Sequence, residues 1–138
     1  VDNGVLVDGR MQTSAAGVFA AGDVARYPDA RSGEPIRVEH WVAAERQGQA
    51  AAMSMLGDGA AFAETPFFWS QHYEHRIRYV GRAASWDRVD VDGAIDAGDF
   101  TVRYFGGARL LAAASLGRDG EALAVHEEMN REAQAALT

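Results

Sequence analysis

After Pro66 the chain breaks into short β-rich runs in close succession, and this patterning narrows its possible folds more than any other feature. The runs cover residues 67–73, 76–81, 89–91, 100–105 and 110–116, and Asp92-Gly93, Gly98-Asp99 and Gly106-Gly107 supply turn signals between several of them. Runs of this length, punctuated in this way, predict an antiparallel sheet. A helix over residues 120–137 follows, with Ala122, Val125, Met129, Ala133 and Leu137 forming an apolar stripe against that sheet.

Ahead of Pro66 the pattern is different. Residues 4–7 and 17–21 are short apolar runs bounded by Gly and Asp and read as buried strands, linked through an Asp8-Gly9 turn. Residues 27–37 hold two of the three prolines with Asp29, Ser32 and Gly33, and read as an exposed loop. An Ala-rich helix is expected over residues 38–56, where Ala43, Ala44, Gly48, Ala51 and Ala52 gather towards one face narrow enough to lie close on a neighbour. Gly57-Asp58-Gly59 stops it. The one organisational break lies near residues 61–65, which predicts an α+β chain of two parts, residues 1–62 and 63–138.

Composition bounds the chemistry. At 138 residues and 48% apolar side chains, the chain can bury a core. A formal charge of −7 argues against a nucleic-acid or anionic-membrane surface, either of which needs a dominant basic field. With no cysteine there is no disulfide, thiolate metal site or redox dithiol, so electron chemistry would have to run through a bound cofactor. The alternating run after Val1, without an initiator Met, basic leader or long apolar segment, predicts a soluble, cytoplasmic chain cut from something larger.

The string Thr13-Ser14-Ala15-Ala16-Gly17-Val18-Phe19-Ala20-Ala21-Gly22-Asp23-Val24 carries the chemistry. A strand ending in Gly-Asp lets backbone approach a ligand closely while the carboxylate offers two acceptors to a polyol hydroxyl. Such ligands bind beyond the carboxyl ends of the strands. This string resembles the second flavin-binding motif of the FAD-dependent pyridine-nucleotide oxidoreductases. The resemblance implies that Asp23 holds the ribityl chain and that Gly22 and Val24 make close backbone contacts.

The next segment begins Val38-Glu39-His40-Trp41 and runs through Gln47-Gly48. On its own chemistry, Glu39 is a favourable charge in a first helical turn, and His40 and Trp41 are partly packed aromatics. In the family this helix starts beside the pyrimidine side of the flavin ring, where unpaired N–H groups stabilise charge on the reduced ring. Glu39, His40 and Trp41 are thereby implied to line the flavin or the nicotinamide, with Glu39 foremost.

Pro66-Phe67-Phe68-Trp69-Ser70 gives the third signal. Aromatic density in a strand is ordinarily core, yet this string opening a C-terminal sheet domain resembles the ferredoxin reductases of oxygenase systems and apoptosis-inducing factor. Trp69 is implied to touch the isoalloxazine or the nicotinamide. The family commonly continues with Asp after the Ser, whereas Gln71 and His72 follow here, so contacts of that Asp do not carry over.

The fold so implied is the last strands and helix of a Rossmann-like FAD domain, then a small antiparallel sheet domain with a C-terminal helix. The parent would be an FAD-dependent NAD(P)H:ferredoxin reductase passing electrons to a 2Fe–2S ferredoxin or a rubredoxin. Alternatives are an apoptosis-inducing-factor-like NADH oxidase, a nitrite-reductase-type flavoprotein, or a non-catalytic domain that dimerises through a sheet edge. No G-x-G-x-x-G loop occurs in the chain, so it is expected to lack reductase activity and to bind FAD weakly or not at all. Arg76, Arg78, Arg82 and Arg88 read as a solvated face or as a patch steering an acidic ferredoxin. His40, His72, His75 and His126 repeat no metal-ligand spacing, and no residue is assigned a directly catalytic role.

Overall fold

The computed structural model describes residues 3–137. Two compact units emerge: residues 3–65 with residues 130–137, and Pro66–Met129. Together they form an α+β fold of eight strands and two α-helices among the described residues.

In the first unit, β1 (Val5–Leu6) runs parallel to β2 (Ala25–Pro28), which pairs antiparallel with β3 (Pro35–Ile36). Val7, Met11, Ala25, Tyr27, Ile36, Ala51 and Phe62 make its core, with Tyr27 and Phe62 meeting edge to face at 5.4 Å. The residues expected to form an exposed loop, 27–37, are therefore a hairpin with both Tyr27 and Ile36 buried. Its prolines escape the usual penalty because they stand at strand ends, Pro28 opposite Pro35, where no interior ladder N–H is lost.

A second departure concerns residues 17–21, which form no buried strand. Only Phe19 makes a bridge, to Gln12, closing a tight loop in which Thr13 N–H donates to the Val18 carbonyl at 2.9 Å. Val18 is half exposed. The expected turn at residues 8–14 is present: Asp8 Oδ1 accepts from the Arg10 and Gln12 N–H groups.

Helix α1 runs Trp41–Met55, three residues later than the composition suggests, because His40 has extended backbone and caps it. It ends in a Schellman arrangement, with Gly57 at φ +89, its N–H on the Ser54 carbonyl and the Asp58 N–H on the Met53 carbonyl. The face turned inward is Ala44, Gln47 and Ala51, while Gly48 and Ala52 are exposed.

The second unit is a five-stranded antiparallel sheet in the order β4-β5-β8-β7-β6, from β4 (Phe67–His72), β5 (His75–Gly81), β6 (Arg88–Ala94), β7 (Asp99–Gly106) and β8 (Arg109–Leu116). Gly98 and Gly107, both at positive φ, serve the expected turns. Asp92-Gly93 does not turn the chain: Gly93 pairs with Phe100 inside β6, so a residue pair common in turns is absorbed by the ladder. Tyr73, at φ +53, sits in the β4–β5 turn and is almost fully exposed, hence not core.

Helix α2 (Asp119–Ala135) places Ala122, Val125 and Met129 with Val80 and Ala113, in line with the expected stripe. Gly81 makes that approach possible, since a Cβ there would stand 2.4 Å from the Leu111 carbonyl oxygen and 3.0 Å from Met129 Sδ. The stripe fails at Leu137, which lies past the helix end and is half exposed. From Asn130 on, the residues belong to the first unit, where Asn130 Oδ1 accepts from the Thr65 N–H at 2.7 Å and Glu132 pairs with Arg31 at 2.9 Å.

Candidate functional site

The motif ending in Gly22-Asp23-Val24 folds as a single 3-10 turn between the residue 13–18 loop and β2. Gly22 has φ +80, a left-handed geometry that an L side chain adopts only with strain. A Cβ on Gly22 would also stand 3.2 Å from the Ala44 Cβ, so glycine lets the turn lie flat on the first turn of α1. Gly22 is buried, and Asp23 and Val24 are exposed. The motif thus presents a carboxylate on a backbone held against a helix start.

The helix start carries His40, whose Nδ1 accepts from the Val42 N–H at 3.3 Å. That acceptor role requires the Nε2–H tautomer. The His40 and Trp41 rings lie 5.9 Å apart, and Trp41 is 60% exposed. Glu39 is not in the first helical turn, as its sequence position suggested, but precedes the cap, its carboxylate 2.6 Å from Arg37 Nη1. The same Nη1 donates to the Asp23 carbonyl at 3.0 Å. Arg37 therefore ties Glu39 to the turn that bears Asp23.

Sequence reasoning passed over two residues here, Arg37 and Gln47. Gln47 is fully buried and its Oε1 accepts from the Gly22 N–H at 2.8 Å. Ala44 and Ala51, at helical spacing on either side of Gln47, marked a packed face, but nothing in the sequence named the group its amide would meet. Nothing in the sequence marked Arg37, because its partners are brought to it by the turn.

Gly22, Asp23, Val24, Glu39, His40 and Trp41 all belong to the first unit; Trp69 belongs to the second. There Trp69 is partly buried on β4, opposite Arg78 on β5 and 6.2 Å from the Phe67 ring. His72 is exposed, with Nε2 3.2 Å from Ser70 Oγ. Of the four arginines nearby, Arg78 pairs with Asp119 and Arg88 with Asp90, so part of their charge is neutralised locally.

The donor set fits a flavin's polyol arm. An exposed carboxylate with two acceptor oxygens stands on a turn whose backbone is clamped by Ala44, Gln47 and Arg37. Among the described residues no group of three or more His, Cys, Asp or Glu could hold a metal ion, and no helix is long and apolar enough to cross a membrane.

The chain is similar to known proteins over most of its length. The chain is 38% identical over 122 residues to the anthranilate 1,2-dioxygenase system ferredoxin–NAD(+) reductase component of Burkholderia cepacia, covering 86% of this chain and 30% of that protein. It is 34% identical over 116 residues to apoptosis-inducing factor 3 of Homo sapiens, covering 83% of this chain and 19% of that protein. The crystal structure of the covalent putidaredoxin reductase–putidaredoxin complex superposes with a TM-score of 0.90 at 31% identity, over 96% of this chain and 32% of the other. The chain thus spans about a third or less of the proteins it resembles. Residues 67–137 match the family model described as reductase C-terminal, and the chain belongs to that family.

Proposed function

We propose that this chain is the C-terminal part of an FAD-dependent NAD(P)H:ferredoxin reductase that feeds electrons to an oxygenase. The observation that carries the reading is the Asp23 carboxylate, exposed on a left-handed turn that is pinned to the first turn of α1. Residues 1–62 are read as the closing part of the FAD domain and residues 63–138 as the C-terminal domain. Asp23 accepts from the ribityl hydroxyls, with Gly22 and Val24 giving close backbone approach. The start of α1, with Glu39, His40 and Trp41, faces the ring, and Trp69 borders the flavin or the nicotinamide. The chemistry that bound FAD would supply is acceptance of a hydride from NAD(P)H and release of electrons one at a time, which belongs to the cofactor and not to the protein. What these residues contribute is position: Asp23 fixes the arm, and the dipole of α1 favours negative charge at its mouth.

The electron acceptor is a 2Fe–2S ferredoxin or a rubredoxin. The ferredoxin is favoured by the names of the Burkholderia relative and of the putidaredoxin complex. A cytoplasmic setting is compatible with a need for reduced nicotinamide, and a homodimer with β4 and β6 standing at the two ends of the sheet order. The likeness to apoptosis-inducing factor 3 favours a second reading, an NADH oxidase with the same ending.

Asp23→Ala in the flavoprotein completed to its relatives' length tests the assignment. FAD retention should fall by about tenfold or more, as expected for a charge-assisted hydrogen bond lost from the ribityl arm. Unchanged retention rejects the assignment of Asp23. Cytochrome c reduction that requires added ferredoxin distinguishes the reductase from the oxidase, which needs none.

A further inference from the structure

We infer that Gln47 is the positioning residue of this site, acting through the Gly22 N–H to set where the Asp23 carboxylate points. The inference rests on the reading of Asp23 as a polyol ligand and extends it to a side chain seven residues into α1.

Gln47 has no exposed surface, and its Oε1 accepts from the Gly22 N–H at 2.8 Å. Its Nε2 is buried and has no partner among the described residues. An unpaired buried donor costs as much as, or more than, one neutral hydrogen bond returns in net stability. An apolar side chain of the same length removes that unpaired donor but leaves the Gly22 N–H without its acceptor, so the two effects roughly offset and the fold is held about as well. What the carboxamide adds is direction.

The geometry shows what is being directed. Gly22 stands in the left-handed region, and the Cβ of Ala44, one helical turn before Gln47, would stand 3.2 Å from a Cβ placed on it. One face of α1 thus limits Gly22 twice, by contact at Ala44 and by hydrogen bond at Gln47. On the far side of Asp23, its own carbonyl accepts from Arg37 Nη1 at 3.0 Å. The backbone is held before and after Asp23, which leaves only the carboxylate's two side-chain torsions to adjust. Gln47 needs no contact with the ligand for this role.

The test uses Gln47→Met, which keeps length and apolar volume and removes the acceptor. In this chain, amide hydrogen exchange read by NMR should speed up at Gly22 by about tenfold, the equivalent of one hydrogen bond. Exchange at Val7 and Phe62, whose N–H groups bond elsewhere in the same unit, should hold, and the unfolding midpoint should change little, since the Nε2 removed and the Gly22 N–H left without an acceptor offset each other. Unchanged exchange at Gly22, or failure of the variant to fold, overturns the inference, since either denies a directing role. In the completed flavoprotein, Gln47→Met and Asp23→Ala should each weaken FAD binding about tenfold, and the double variant should bind no worse than Asp23→Ala alone. Additive losses, or no loss from Gln47→Met, overturn it as well. Should Asp23→Ala leave FAD binding unchanged, it is the ribityl reading that fails, and the exchange result still decides the Gln47–Gly22 link.

Discussion

At Gly22 one atom decides whether the turn forms. A Cβ there meets a backbone conformation of φ +80 and the Ala44 methyl at 3.2 Å together. Gly22→Ala should destabilise the first unit by about 1–2 kcal/mol from the left-handed conformation alone, measurable as a lower urea midpoint. Asp23, being exposed, should tolerate Asn with little effect on stability while losing flavin, so the two substitutions separate folding from function. The Gly-Asp pair was legible because both demands act within two residues. Gln47 was not, since its partner lies 25 residues away and only the fold introduces them.

Among the elements, α1 depends on its two ends. His40→Ala should cost about 1 kcal/mol through the lost acceptor for the Val42 N–H, read from thermal unfolding. The cap also explains why the helix begins at Trp41: the extended backbone at His40 excludes Glu39 from the helix, where its charge had seemed well placed. In the second unit, Met129→Ala should cost roughly 2–5 kcal/mol, because Met129 is buried between α2 and the sheet beside Gly81. Arg118 joins β6, β7 and α2 by pairing with Asp92, Asp99 and Glu121. The hydrogen bond to Asp99 foremost, then the surrounding carboxylates, hold its pKa above the ordinary value against some desolvation. A raised pKa adds stability that is complete below the unfolded value and lost only past the folded one, far above any working pH. Added salt, not alkali, should therefore erode the effect of Arg118→Gln on the unfolding midpoint.

At the scale of the whole chain, the relatives are about three times longer or more, and no G-x-G-x-x-G loop occurs in these 138 residues. The chain by itself should show no NADH oxidation and should lose FAD on gel filtration; a yellow stoichiometric complex would overturn that expectation. What the residues determined unaided were the features with short range. Five sheet strands, their turns at Gly98 and Gly107 and the Gly57 helix stop all follow from neighbours a few positions apart. Only the tertiary structure decided which apolar runs were strands. Residues 17–21 have a strand's composition but keep a single bridge, Phe19 to Gln12, whereas residues 27–28 and 35–36 look like loop and pair, because a strand extends only as far as another backbone goes on taking its hydrogen bonds. The same holds for Gln47 and Arg37, whose roles depend on which backbone groups the fold leaves within 3 Å of them.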